Sequence, residues 1–155
     1  MAKSEEPTFS AEERAAMQAT VKERTRSRSR KKVDPETARR EGEAEVLAKI
    51  AELDGEDRPL AEAVHRLVGE NAPHLIPRTY YGMPGYAGAD GKIVLFFKPK
   101  AKFKVRYATI EFEWAAQLDD GDLWPTRYAV TALNDADLAF LAERIRTAAP
   151  AESAA

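Results

Sequence analysis

Apolar and polar positions along this chain change period several times, and each change marks an element. Leu60, Val64, Leu67 and Val68 recur at i, i+4, i+7 and i+8, the stripe of a helix packed on a core. Val46, Leu47, Ile50 and Leu53 set a second such face, and Leu138, Leu141 and Ile145 a third. Caps and breakers bound these helices at 35–54, 59–71 and 135–148. Asp34 can cap a helix that has Pro35 in its first turn, Gly55 stops it, and Asn134 can cap the last helix with Asp137 near its positive end. Upstream, Ser10 and Glu13 have capping-box spacing and open a helix that runs into the twenties. Its apolar residues, Ala15, Ala16, Met17, Ala19 and Val21, are too small and too few for a wide buried face.

The period shortens between Thr79 and Tyr107. Ile93–Phe97 is apolar at every position, as in a central strand covered on both faces. Asp90-Gly91 is the dipeptide of a two-residue hairpin turn in which both residues take positive φ, so Tyr86–Ala89 is expected to pair antiparallel with Lys92–Lys98. Pro99 has no N–H for a ladder and closes that strand, and Lys100-Ala101 is expected to turn into the next one. That next strand, Lys102–Tyr107, alternates strictly: Phe103, Val105 and Tyr107 point one way, and Lys102, Lys104 and Arg106 form a solvent-facing basic row. Thr126–Leu133 reads as a further strand. The fold class is therefore α+β, a curved antiparallel sheet of about four to five strands packed by the three helices, with an N-terminal helical arm. Residues 1–33 form the arm, 34–149 the domain and 150–155 a tail.

Composition narrows the chemistry. The 155 residues contain no cysteine, which removes disulfides, thiolate metal sites and a cysteine nucleophile. All five serines, Ser4, Ser10, Ser27, Ser29 and Ser153, lie in terminal segments, away from any nucleophile elbow. The two histidines, His65 and His74, stand outside any His-Glu-x-x-His arrangement; His65 borders an apolar stripe and reads as packing. Glycines 82, 85, 88 and 91 read as successive turns, since no Gly-Lys-Ser/Thr ending makes them a phosphate loop. No catalytic constellation emerges, and no cofactor is required. The chain has no run fit for a signal peptide or membrane span, so a cytoplasmic protein without a membrane partner is expected.

A formal net charge of −2 conceals strong segregation. Lys22, Arg24, Arg26, Arg28, Arg30, Lys31 and Lys32 place seven positive charges in eleven residues, interrupted only by Glu23, and repulsion is expected to fray this end of the helix. With Lys102 and Lys104 they make a candidate surface for nucleic acid or the ribosome. Tyr81, Tyr86, Lys98, Arg106 and Trp124 are candidates for a pocket that takes a small anionic ligand. Acidic residues follow at Glu111, Glu113, Asp119, Asp120 and Asp122.

At Tyr81-Gly82-Met83-Pro84 the chain resembles the YdhG-like family, small bacterial proteins of which some are described as frataxin-like iron chaperones. The similarity extends from about Val46 to Ala148, through Phe96-Phe97, Lys102-Phe103, Arg106-Tyr107-Ala108 and Leu118-Asp119-Asp120-Gly121-Asp122-Leu123-Trp124-Pro125. What the resemblance implies is a compact α+β fold and a binding or chaperone-type role. In its concrete form, iron would be held weakly by the carboxylates Glu111, Glu113, Asp119, Asp120 and Asp122, hard oxygen ligands suited to loose binding and delivery.

Overall fold

The computed structural model of the chain describes residues 10–30 and 34–151, without the side chains of residues 26–30. In chain order the elements are α1 (Ala11–Arg30), α2 (Pro35–Ala51), α3 (Asp57–Asn71), β1 (Ile76–Tyr80), β2 (Met83–Ala87), β3 (Ile93–Lys98), α4 (Lys100–Phe103), β4 (Ala108–Phe112), β5 (Arg127–Val130) and α5 (Asp135–Ala148). The five strands form one open antiparallel sheet in the order β1-β2-β3-β4-β5, so the architecture is α+β. None of the described helices is long and apolar enough to cross a membrane.

Register assigns the faces. Tyr86 pairs with Leu95, Leu95 with Phe112, Phe97 with Ile110, and Ile110 with Tyr128. These residues share the face that meets Val46 and Ile50 of α2, Val64 and Val68 of α3, and Leu141 and Ile145 of α5. Arg78, Tyr80, Phe96, Glu111 and Arg127 follow the opposite register positions, and Tyr80 lies on Phe96 with ring centroids 5.1 Å apart. The helix caps follow the sequence pattern: the Asp34 carboxylate accepts the Thr37 N–H, and Asn134 with Asp137 closes a reciprocal capping box.

Two local expectations are corrected. Lys102–Tyr107 is not a strand: α4 and a left-handed Lys104 (φ 53°) occupy its first half, and pairing resumes only at Ala108. The cause lies in α3, where the buried carboxylate of Asp57 accepts the Lys100 and Ala101 amides at 3.0 Å each and so winds the chain into a helical turn after Pro99. Alternation in 102–107 therefore carried no strand information. The hairpin before β3 is also different. The amide of Gly91 donates to Gly88 and that of Gly88 to Lys92, and Gly91 (φ 82°) takes positive φ while Asp90 does not, so the loop has three residues, with glycine in the left-handed position. Helix α1 runs to Arg30.

A two-residue turn with both φ positive does exist, at Tyr81-Gly82 (φ 50° and 75°), and it joins β1 to β2 with Tyr80 opposite Met83. Strand β1 escaped the sequence pattern because Pro77 argues against a strand. It is an edge strand, and α2 packs against it so closely that a Cβ on Gly42 would stand 2.1 Å from the Pro77 carbonyl oxygen.

Two substitutions test these constraints. Asp57→Ala leaves two amides without their charged acceptor and should cost about 3 kcal/mol in urea unfolding, with Asp57→Asn less severe. Gly42→Ala should gain up to about 1 kcal/mol from helix propensity alone. Overpacking against β1, of about 1–3 kcal/mol, should outweigh that gain and lower the urea midpoint.

Candidate functional site

Strand β4 leaves the core at Phe112 and delivers Glu111 and Glu113, two residues apart, to the sheet face away from α2, α3 and α5. Glu111 is fixed: the Thr109 hydroxyl donates to it at 2.8 Å, and Arg127 of the neighbouring strand stands 3.7 Å away. The Glu113 carboxylate has no hydrogen-bond or ion-pair partner among the described residues, although its amide donates to Val94 O at 2.8 Å. Burial first, and the neighbouring Glu111 charge second, hold its pKa above the ordinary glutamate value.

Glu113 and Trp114 line two clefts at once. The larger, about 600 Å³, is completed by Glu111, Asp119, Trp124 and Arg127. The smaller, about 330 Å³, lies between α1 and the sheet and is bordered by Glu23, Arg78, Tyr80 and Tyr81. Trp114 is 100% exposed, which for an indole means that neither cleft wall uses it for packing. Trp124 is partly buried against the core and forms a fixed wall of the larger cleft.

Only part of the acidic set is gathered here. Glu111, Glu113 and Asp119 line the larger cleft, while Asp120 and Asp122 are exposed on the turn at Gly121 (φ 66°), outside its lining. Among the described residues no three His, Cys, Asp or Glu side chains converge as a metal-binding group.

The anion-pocket set is dispersed. Tyr86 is buried in the core, Tyr81 borders the smaller cleft and Trp124 the larger, Lys98 lies over the Phe103 ring at 5.2 Å, and Arg106 over Tyr107 at 5.0 Å. Nor is there a basic row. With 102–107 out of the sheet, Lys102 turns inward, half-buried, and donates to Gly82 O at 3.2 Å, whereas Lys104 pairs with Glu12 of α1 at 2.6 Å. Arg24 borders the smaller cleft. Arg26, Arg28 and Arg30 lie on α1, but their side chains, like Lys31 and Lys32 altogether, fall outside the described residues.

Two arrangements had no sequence signal. One is the α1 contact, in which the Glu23 carboxylate accepts the Tyr81 and Gly82 amides at 3.0 and 2.8 Å. The other links α2, α3 and β2: Glu43 lies 2.7 Å from His65 Nε2, and His65 Nδ1 lies 2.9 Å from the Tyr86 hydroxyl. An ionised Glu43 can only accept, so Nε2 carries a proton, and in the neutral ring Nδ1 accepts from Tyr86. Burial raises the Tyr86 pKa, and with the residue only 1% exposed its hydroxyl cannot meet a substrate; the network satisfies a buried phenol. His65 is thus a structural bridge, which amphipathic packing alone does not describe.

Comparison of the chain with protein-family models, curated proteins and solved structures finds no match.

Glu113 makes stability depend on pH in a specific sense. Below the ordinary glutamate pKa the group is protonated folded or unfolded, and burial carries no ionic cost. As pH rises past that value the unfolded chain ionises first, so Glu113 destabilises the fold increasingly until it ionises in place. Glu113→Gln should therefore raise the urea midpoint at pH 7 and leave it unchanged at about pH 3, below the ordinary range.

Proposed function

We propose that this chain is a small YdhG-like binding protein whose ligand is an organic cation with a flat apolar body, seated in the larger cleft. The observation that carries the ligand class is the partly buried Glu113 carboxylate, unpaired among the described residues, next to the wholly exposed Trp114. A partly desolvated carboxylate gains from a cation that supplies a partner, and indole faces attract the same charge. Glu111 and Asp119 add negative potential, and Trp124 offers a second apolar wall. The family half of the reading is supported by the motifs at Tyr81–Pro84 and Leu118–Pro125 and by the α+β architecture that the resemblance implies.

Iron fits these carboxylates less well. Glu111 is already engaged by Thr109 and Arg127, and Asp120 and Asp122 stand away from the cleft. A nucleic-acid role would rest on the basic residues of α1 alone, because Lys102 and Lys104 are occupied.

Phenethylamine titrated against tryptophan fluorescence tests the reading. Saturable quenching is expected, weakening as the pH falls through the Glu113 titration. Glu113→Gln should lose about tenfold in affinity, or about 1.4 kcal/mol, together with the pH dependence. Absence of saturation, or a Glu113→Gln variant that binds equally well, overturns it. Anaerobic ferrous iron in the same assay discriminates: saturable binding lost on replacing Asp119, Asp120 and Asp122 by alanine favours the iron-chaperone role. Salt-sensitive binding of an oligonucleotide favours the nucleic-acid role.

A further inference from the structure

The turn between β1 and β2 holds a carboxylate at the border of the smaller cleft. Because Tyr81 and Gly82 both have positive φ, their successive amides point the same way, and the hairpin register, not the bound group, fixes that arrangement. A planar carboxylate fits it with one oxygen on each amide, at 3.0 and 2.8 Å. Lys102 adds a half-buried ammonium group at the Gly82 carbonyl. The present occupant, Glu23, belongs to the same chain.

The described side chains of α1 bury little apolar surface. Ala16 is the one buried apolar residue among the described side chains of α1, while Met17 and Val21 are 39% and 65% exposed. Burying an alanine methyl is worth less than about 1 kcal/mol. The Glu12–Lys104 pair, with Lys104 at 74% exposure, is a surface ion pair of about 0–1 kcal/mol. Hydrogen bonds to a charged acceptor contribute about 1.5–3 kcal/mol each, so the two at Glu23 are the strongest of these contacts. Ala16, Ala19, Thr20 and Glu23 fall at i, i+3, i+4 and i+7, one helical face with small residues leading to a glutamate. Ala19 Cβ would stand 3.5 Å from a Cβ placed on Gly82, so this face sits directly on the turn.

We propose that the Tyr81-Gly82-Lys102 cradle is a receptor for a glutamate carried on a helix with small residues before it, and that α1 is its displaceable intramolecular occupant. In the full chain α1 blocks the cradle at a high effective concentration; a partner helix of the same pattern binds when α1 leaves.

A synthetic peptide of residues 10–30 is the probe, with a second peptide bearing glutamine at position 23 that keeps every basic residue. Full-length Glu23→Gln should bind the glutamate peptide at least about tenfold more tightly than wild type does, because its own arm no longer competes. In ¹H–¹⁵N spectra the Tyr81 and Gly82 amides should shift on Glu23→Gln and return toward wild-type positions when the glutamate peptide is added. Lys102→Ala in the Glu23→Gln background should weaken the peptide. Equal affinity of wild type and Glu23→Gln, equal affinity of the two peptides, or binding that leaves both amides unmoved overturns the proposal.

Discussion

A tyrosine held at φ 50° is the constraint from which much of this structure follows. Left-handed backbone costs an L-residue about 1–2 kcal/mol, so Tyr81 stays there only because its surroundings hold it. Its ring meets Tyr80 edge-on at 4.6 Å, Gly82 supplies the second positive φ without penalty, and the ladder pairs Tyr80 with Met83 across the turn. The turn sets the register of β1 on β2. That register brings Pro77 under Gly42 of α2 and opposite Tyr86 of the core, and puts Tyr80 on Phe96 on the other face.

Among the described residues, Asp57 and Glu23 each accept a pair of successive backbone amides from a distant element, with opposite consequences. Asp57 is 2% exposed and grips Lys100 and Ala101 from within the folded core, so removing it exposes a defect that nothing can fill. Glu23 grips Tyr81 and Gly82 from a helix whose described side chains include one buried apolar residue, Ala16, so the same chemistry there is a latch. Burial of the surrounding element, and not the strength of the hydrogen bonds, separates a structural clamp from a reversible one.

The helices were legible in the sequence because their stripes report burial directly: Leu60, Val64, Leu67 and Val68 are all buried, and Asn134 caps as its position indicates. The central strand was legible for the same reason, since Val94 to Phe97 is buried at every position. What failed was alternation on its own. Lys102 to Tyr107 has a period of two, yet the nearby carboxylate of Asp57, forty-odd residues earlier, bends its start into a helical turn. The acidic segment was visible by charge, but charge could not show that, among the described residues, Glu111 has partners and the Glu113 carboxylate has none. Glu23 read as a break in a basic run, and a single residue whose partners lie 58 and 59 positions away leaves no local trace.

The edges of the sheet carry a last consequence. On one side β1 offers Pro77, which lacks a donor, and α2 crowds it so tightly that only a glycine fits at position 42. On the other, β5 is a mere four residues. Neither border gives an incoming ribbon a long run of open donors and acceptors, so an unclosed sheet with a greasy middle is guarded against the edge-to-edge stacking that leads to fibrils.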